Sequence, residues 1–159
     1  MKTYKWIIIV VNLCLLLGYF NYSVYQKEEI INNGKLILLE LAPRDPRSLM
    51  QGDYMNLNYS ISRNPKTDLK RGFCVVKIDS NGVAQKQRFQ KNRLPIGKDE
   101  YLIEFTSKNR WNLNIGTESY FFQEGKSEKY VSAKYGGLKI DKQGNSVLVG
   151  LYNSDKIKI

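Results

Sequence analysis

From Trp6 to Phe20 the chain carries no charged side chain, running through Ile7, Ile8, Ile9, Val10 and Val11 to Leu17, and with Tyr4 and Tyr22 at its edges the segment covers 4–22. A stretch of that kind approaches the roughly 20 residues that cross a hydrocarbon core as a helix. Tyr4, Trp6, Tyr19, Tyr22 and Tyr25 flank it, where amphipathic rings favour the membrane–water boundary. Over 18–22 the bulk of Tyr19, Phe20, Asn21 and Tyr22 after Gly18 leaves no small-x-small pattern for a signal peptidase, so the run reads as an uncleaved anchor. Residues 23–33 lack breakers, and Ile30 and Ile31 lead into Asn32, Asn33 and Gly34. That ending predicts a helix stop with glycine in the left-handed position, and a stalk of about three turns beyond the bilayer.

After Gly34 the period changes to that of strands. Residues 35–41 form an apolar β-rich run closed by Ala42 and Pro43. Along 54–61, Tyr54, Asn56, Asn58 and Ser60 alternate with Met55, Leu57, Tyr59 and Ile61, the two sets facing opposite sides of a strand. Strands at 72–79 and 83–89 flank Ser80, Asn81 and Gly82, a hairpin turn in which Asn-Gly supplies positive φ. Further strands are expected at 101–105, within 111–122 with Gly116 as bulge or bend, and in a last hairpin of 137–140 with 146–151. Residues 124–134 are the helix-like stretch, with Tyr130, Val131 and Ala133 as inward contacts. The expected fold class is mainly β (α+β): an anchor and stalk over 1–33, then a small antiparallel β domain over 34–159 with one short helix.

Composition narrows the chemistry. The 159 residues include no histidine, which removes histidine triads, histidine-ligated zinc and the usual general base near neutral pH. Cys14 lies in the apolar run and Cys74 far from it, so no intramolecular disulfide and no metal pair is expected. Leu13 stands where a lipoprotein signal needs a small residue before its cysteine. Formal net charge is +10, with two readings: attraction to anionic head groups, or lysines that solvate exposed strand faces. No run of four basic residues occurs, and nucleic acid is not an expected partner. Lys2 and Lys5 precede the apolar run, whereas Lys27 beyond it is offset by Glu28 and Glu29; basic flanks stay cytoplasmic, so the β region is expected outside. Asn12, strongly polar inside the span, either meets a neighbouring transmembrane helix or is tolerated alone.

One segment stands apart. Pro43 and Pro46 stiffen a loop that presents Arg44, Asp45 and Arg47; Gly52 and Asp53 then turn the chain into the alternating strand. Gly52, Asp53, Tyr54, Leu57 and Tyr59 match every defined position of the motif that names the GDYXXLXY family. The preceding strand and loop, the later Tyr120, Phe121, Phe122, Gln123, Glu124 and Gly125, and the closing 144–151 also resemble that family's layout. The resemblance implies a small membrane-anchored protein, often encoded beside a multi-spanning membrane protein, and implies no known activity. The motif has a structural reading, in which it makes the turn and seats the strand, and a functional one, as a contact surface. Of the adjacent rings Phe121 and Phe122, one is expected inward and the other outward, where it is either a docking anchor or covered by a loop.

The leading expectation is a non-catalytic interaction module of the cell envelope, single-pass in a bacterial inner (cytoplasmic) membrane, that partners an integral membrane protein and needs no cofactor. Two others stand beside it. Ser48 ahead of Gly52 and Asp53 distantly echoes the serine–lysine signal peptidases, though at the wrong spacing. Arg44, Arg47, Arg63, Lys66, Lys70 and Arg71 lie in or beside two loops and would suit anionic lipid or an envelope polymer if they converge. Glu40, Asp45, Asp53, Glu118 and Glu124 are the carboxylates available to a catalytic pair, and spacing alone brings no two of them together.

Overall fold

The computed structural model describes residues 3–42, 50–51, 54–63, 65–109, 112–123 and 125–159. Helix α1, Thr3–Asn33, is one unbroken element of 31 residues, roughly 46 Å long at 1.5 Å per residue. Its large apolar side chains from Tyr4 to Tyr25 are exposed on all sides, so the helix buries no face on the β region along that length. By length and composition it is able to cross a membrane.

Contact begins near the helix end, where Ile30 is buried. The stop differs from the expected one. Gly34 does not take a positive φ; its amide donates to the Ile30 carbonyl at 2.9 Å. A Cβ at Gly34 would collide with that carbonyl oxygen and lie 3.0 Å from the Ile140 oxygen. Glycine is needed there so that two backbones can approach, and handedness plays no part.

Strand β1 (Lys35–Glu40) starts at once. The later strands are β2 (Met50–Gln51), β3 (Tyr54–Asn56), β4 (Arg71–Ile78), β5 (Ala84–Gln90), β6 (Glu100–Asn109), β7 (Asn112–Asn114), β8 (Ser119–Phe121), β9 (Tyr135–Ile140) and β10 (Ser146–Tyr152). They form three antiparallel sheets in the orders β1-β9-β10, β2-β3-β8 and β5-β4-β6-β7. The fold class is therefore mainly β, entered through one long apolar helix.

Both expected hairpins occur, and each turn is closed by an aspartate. Asp79 Oδ1 accepts from the Asn81 and Val83 amides at 2.8 and 2.9 Å, and Gly82 has φ +80°. Asp141 Oδ1 does the same for Gln143 and Asn145, at 2.8 and 2.9 Å. Gly116, with φ +81°, makes the bend between β7 and β8.

All three sheets feed one core. Ile37, Leu39, Leu138, Ile140 and Leu151 come from the first sheet, Cys74, Val76, Ile103 and Phe105 from the largest, and Met55 from β3, with Leu57 and Tyr59 just beyond it. Alternation along 54–59 holds as expected: Met55, Leu57 and Tyr59 are buried, while Tyr54, Asn56 and Asn58 are not. The strand itself is shorter than expected, because Ser60–Ser62 turns as a 3-10 helix.

The short helix expected over 124–134 is corrected to a single 3-10 turn, Ser127–Tyr130. Neighbours claim the backbone that a helix would use. The Leu41 amide donates to the Lys134 carbonyl at 2.9 Å, and the Lys134 amide to the Tyr152 carbonyl at 2.8 Å. Tyr130 and Ala133 do pack against the core, but Val131 is exposed.

Candidate functional site

The motif strand is built into its surroundings from both ends. The Leu57 amide donates to the Glu118 carbonyl at 2.6 Å, and the Ala42 amide to the Asn58 carbonyl at 2.7 Å. Tyr59 bridges Leu41, and its hydroxyl donates to the Thr117 carbonyl at 2.8 Å in the interior. Burial, with the Glu118 carboxylate adding to it, raises the Tyr59 pKa well above the ordinary phenol value, so this group stays neutral and donates. A Cβ at Gly136 would come within 2.8 Å of the Tyr59 ring. Tyr59 therefore locks the end of β1, the β7–β8 turn and β9 together.

Tyr54 behaves differently. It is half-buried and its ring lies 5.8 Å from that of Phe121, its register partner on β8. Phe121 is 74% exposed. Phe122 turns the other way, partly buried against the core with its ring 5.4 Å from that of Tyr130. Tyr120 packs on Tyr130 at 5.2 Å; burial and the neighbouring Tyr130 hydroxyl push its pKa up to about 12. One ring in and one ring out is the arrangement expected of the Phe-Phe pair, and the outward ring joins the first motif tyrosine.

A family model described as GDYXXLXY protein matches residues 16–151. The chain belongs to the GDYXXLXY family. No curated protein and no solved structure matches it.

Within the GDYXXLXY motif, Leu57 and Tyr59 are interior and Tyr54 reaches the surface. Gly52 and Asp53 lie outside the described residues, as do Arg44, Asp45, Arg47, Ser48 and Glu124. Arg63, Lys66, Lys70 and Arg71 are exposed, and the Arg71 guanidinium is held by Glu104 at 2.6 Å. Glu118 accepts from the Ile115 amide at 2.5 Å and so shapes the turn beside Tyr59. Among the described residues no group of three or more acidic or cysteine side chains comes together to hold a metal ion. Both cysteines are free; burial pushes the Cys74 thiol up to about 12, against a smaller opposite pull from Lys86.

An open cavity of about 780 Å³ separates the helix from the domain. Ser23, Gln26 and Ile30 line one side, and β6 with the β9–β10 turn lines the other. Its charged lining mixes both signs, among them Lys27, Glu29, Lys35, Glu104, Asp141 and Lys142, which gives no preference for an ion of one charge. Two partners of the motif, Thr117 and Gly136, were not anticipated from sequence. The paired glycines 136 and 137 inside a strand pattern are the signal that a bulky ring approaches the backbone there.

Proposed function

We propose that this protein is a membrane-anchored, non-catalytic interaction module of the cell envelope that docks onto a multi-spanning membrane protein. The observation that carries the reading is the exposed Phe121 ring set against the half-buried Tyr54, in a β region joined without a break to a bare apolar helix. An exposed aromatic cluster on a rigid sheet is the usual chemistry of a contact anchor. An apolar helix of roughly 46 Å outlasts a hydrocarbon core of about 30 Å, leaving on the order of 16 Å as a spacer. The continuity of α1 into Gly34 and the burial of Ile30 favour an anchor retained with the domain over a leader removed from it. Lys2 and Lys5 ahead of the span support a β region outside the cytoplasm, in a bacterial inner membrane.

The test is purification of the full chain from native membranes in mild detergent. A polytopic membrane protein is expected to come with it, and Phe121→Ala is expected to release that partner while the chain stays folded and membrane-bound. Repeated recovery of the chain alone, or unchanged recovery of the partner by Phe121→Ala, would refute the docking surface.

A further inference from the structure

We propose that loop 91–99 dips into the anionic surface of the same bilayer that holds α1, giving the domain a second, shallow point of attachment. The inference rests on the membrane-anchored reading and adds a site to it. Leu94 is 74% exposed and Ile96 37% exposed, and both sit on a crossing that is ordered by specific contacts. Arg88 holds Glu100 at 2.5 Å and donates to the Pro95 carbonyl at 3.1 Å. The Gly97 amide donates to Glu100 Oε2 at 2.7 Å, and the Arg93 guanidinium stands 5.7 Å from the Phe73 ring centre. The apolar tip is thus presented by a braced loop.

Placement comes from the stacking of the sheets. The helix enters the fold at β1, in the sheet β1-β9-β10. The sheet β5-β4-β6-β7 packs against that one through the core, and sheets stack about 10 Å apart. It lies on the stalk side, because Glu104, Phe105 and Thr106 of β6 face Ser23 to Asn33 of the helix across the cavity. Ten helical residues span roughly 15 Å towards the bilayer, and the cavity that β6 lines reaches up to Ser23, so this sheet stands beside the stalk over that length and comes close to the bilayer surface. Gly144 seats against Phe73 and Leu102, both within 3.2 Å of a Cβ placed there, and Arg93 covers the same Phe73. Loop 91–99 crosses the outer face of this sheet.

Charge fits the surface. Lys77, Lys91, Arg93 and Lys98 are exposed on this side; Asp99 is the acid in the loop, and Glu100 and Glu104 are each paired with an arginine. Two aliphatic side chains ringed by basic ones match the boundary between acyl chains and anionic head groups. Each basic residue near such a surface strengthens attachment roughly fivefold.

The experiment uses the full chain with Cys14→Ser, Leu94→Cys and the buried Cys74 left in place. It carries an environment-sensitive dye and is reconstituted into vesicles of phosphatidylcholine and phosphatidylglycerol with a nitroxide on the acyl chain. A parallel chain carries the dye at Ser132→Cys, an exposed position ahead of β9, whose Tyr135 end is opposite the Ile140 end that pairs with Lys35 beside the stalk. Strong quenching and a blue shift are expected at position 94 and not at 132, and both are expected to vanish on adding Ile96→Glu, Arg93→Glu and Lys98→Glu. Equal quenching at the two positions in chains that float with the vesicles overturns the loop and leaves the anchor standing. Chains that do not float overturn the anchor, and this inference with it. A dye at 94 that is shielded only when a second membrane protein is present would assign the loop to a protein contact instead.

Discussion

Removing one oxygen atom separates the interior half of the motif from its surface half. In Tyr59→Phe the ring keeps its place between β1, β9 and the β7–β8 turn, but the hydroxyl that donates to the Thr117 carbonyl at 2.8 Å is gone. A made hydrogen bond nets only about 1 kcal/mol, but a buried carbonyl left without its donor costs its full desolvation, about 1–3 kcal/mol, and that is the loss here. A destabilisation of about 1–3 kcal/mol follows, which changes the folding equilibrium by roughly 5- to 150-fold. Tyr59→Ala should cost more, about 3–5 kcal/mol, because the side chain is fully buried and its cavity cannot close against strand backbones. Tyr54→Ala, half-buried beside an exposed Phe121, should cost no more than about 1 kcal/mol. Urea unfolding of the full chain in detergent micelles, followed by near-ultraviolet circular dichroism, measures all three. The reasoning fails if Tyr54→Ala is the more damaging change, or if Tyr59→Phe leaves the midpoint where it was.

Three further outcomes are expected. Gly136→Ala places a methyl group 2.8 Å from the Tyr59 ring and should destabilise by about 1–3 kcal/mol; Gly82→Ala, at φ +80° with open space around it, should cost only about 1 kcal/mol, and the two melting curves decide it. Cys74 is buried, with its thiol pushed up to about 12, so in the Cys14→Ser chain a thiol reagent near neutral pH should react only as the domain unfolds; prompt native-state labelling would contradict its packing. Glu100 is held down to about 2 by Arg88 and by the Gly97 amide. A folded pKa below the ordinary 4.5 stabilises the closed loop above that ordinary value, and the effect fades as pH falls towards 2. The protection of the Gly97 amide, measured against its intrinsic exchange rate, should fall across that window and should already be low at neutral pH in Glu100→Gln.

Where local pattern decides, residues alone were sufficient. The uncharged run before Asn21, the alternation of Met55, Leu57 and Tyr59, and the Asp79–Gly82 and Asp141–Gly144 turns all depend on neighbours close in sequence, and all stand in the fold. The family was legible for the same reason, since its motif is eight consecutive positions. Other features depend on groups far apart in the chain. Gly34 is set by Ile140 and Gly136 by Tyr59, so neither role shows in the local sequence. The segment around Tyr130 has helical composition but turns only once, and at its end Lys134 pairs with Leu41 and Tyr152 instead of continuing a helix; tertiary pairing there outweighs a propensity of a few tenths of a kcal/mol per residue. Which motif tyrosine is interior and which joins Phe121 at the surface is likewise decided by packing: period two puts them on opposite faces, and only the three sheets meeting in one core determine which face is covered.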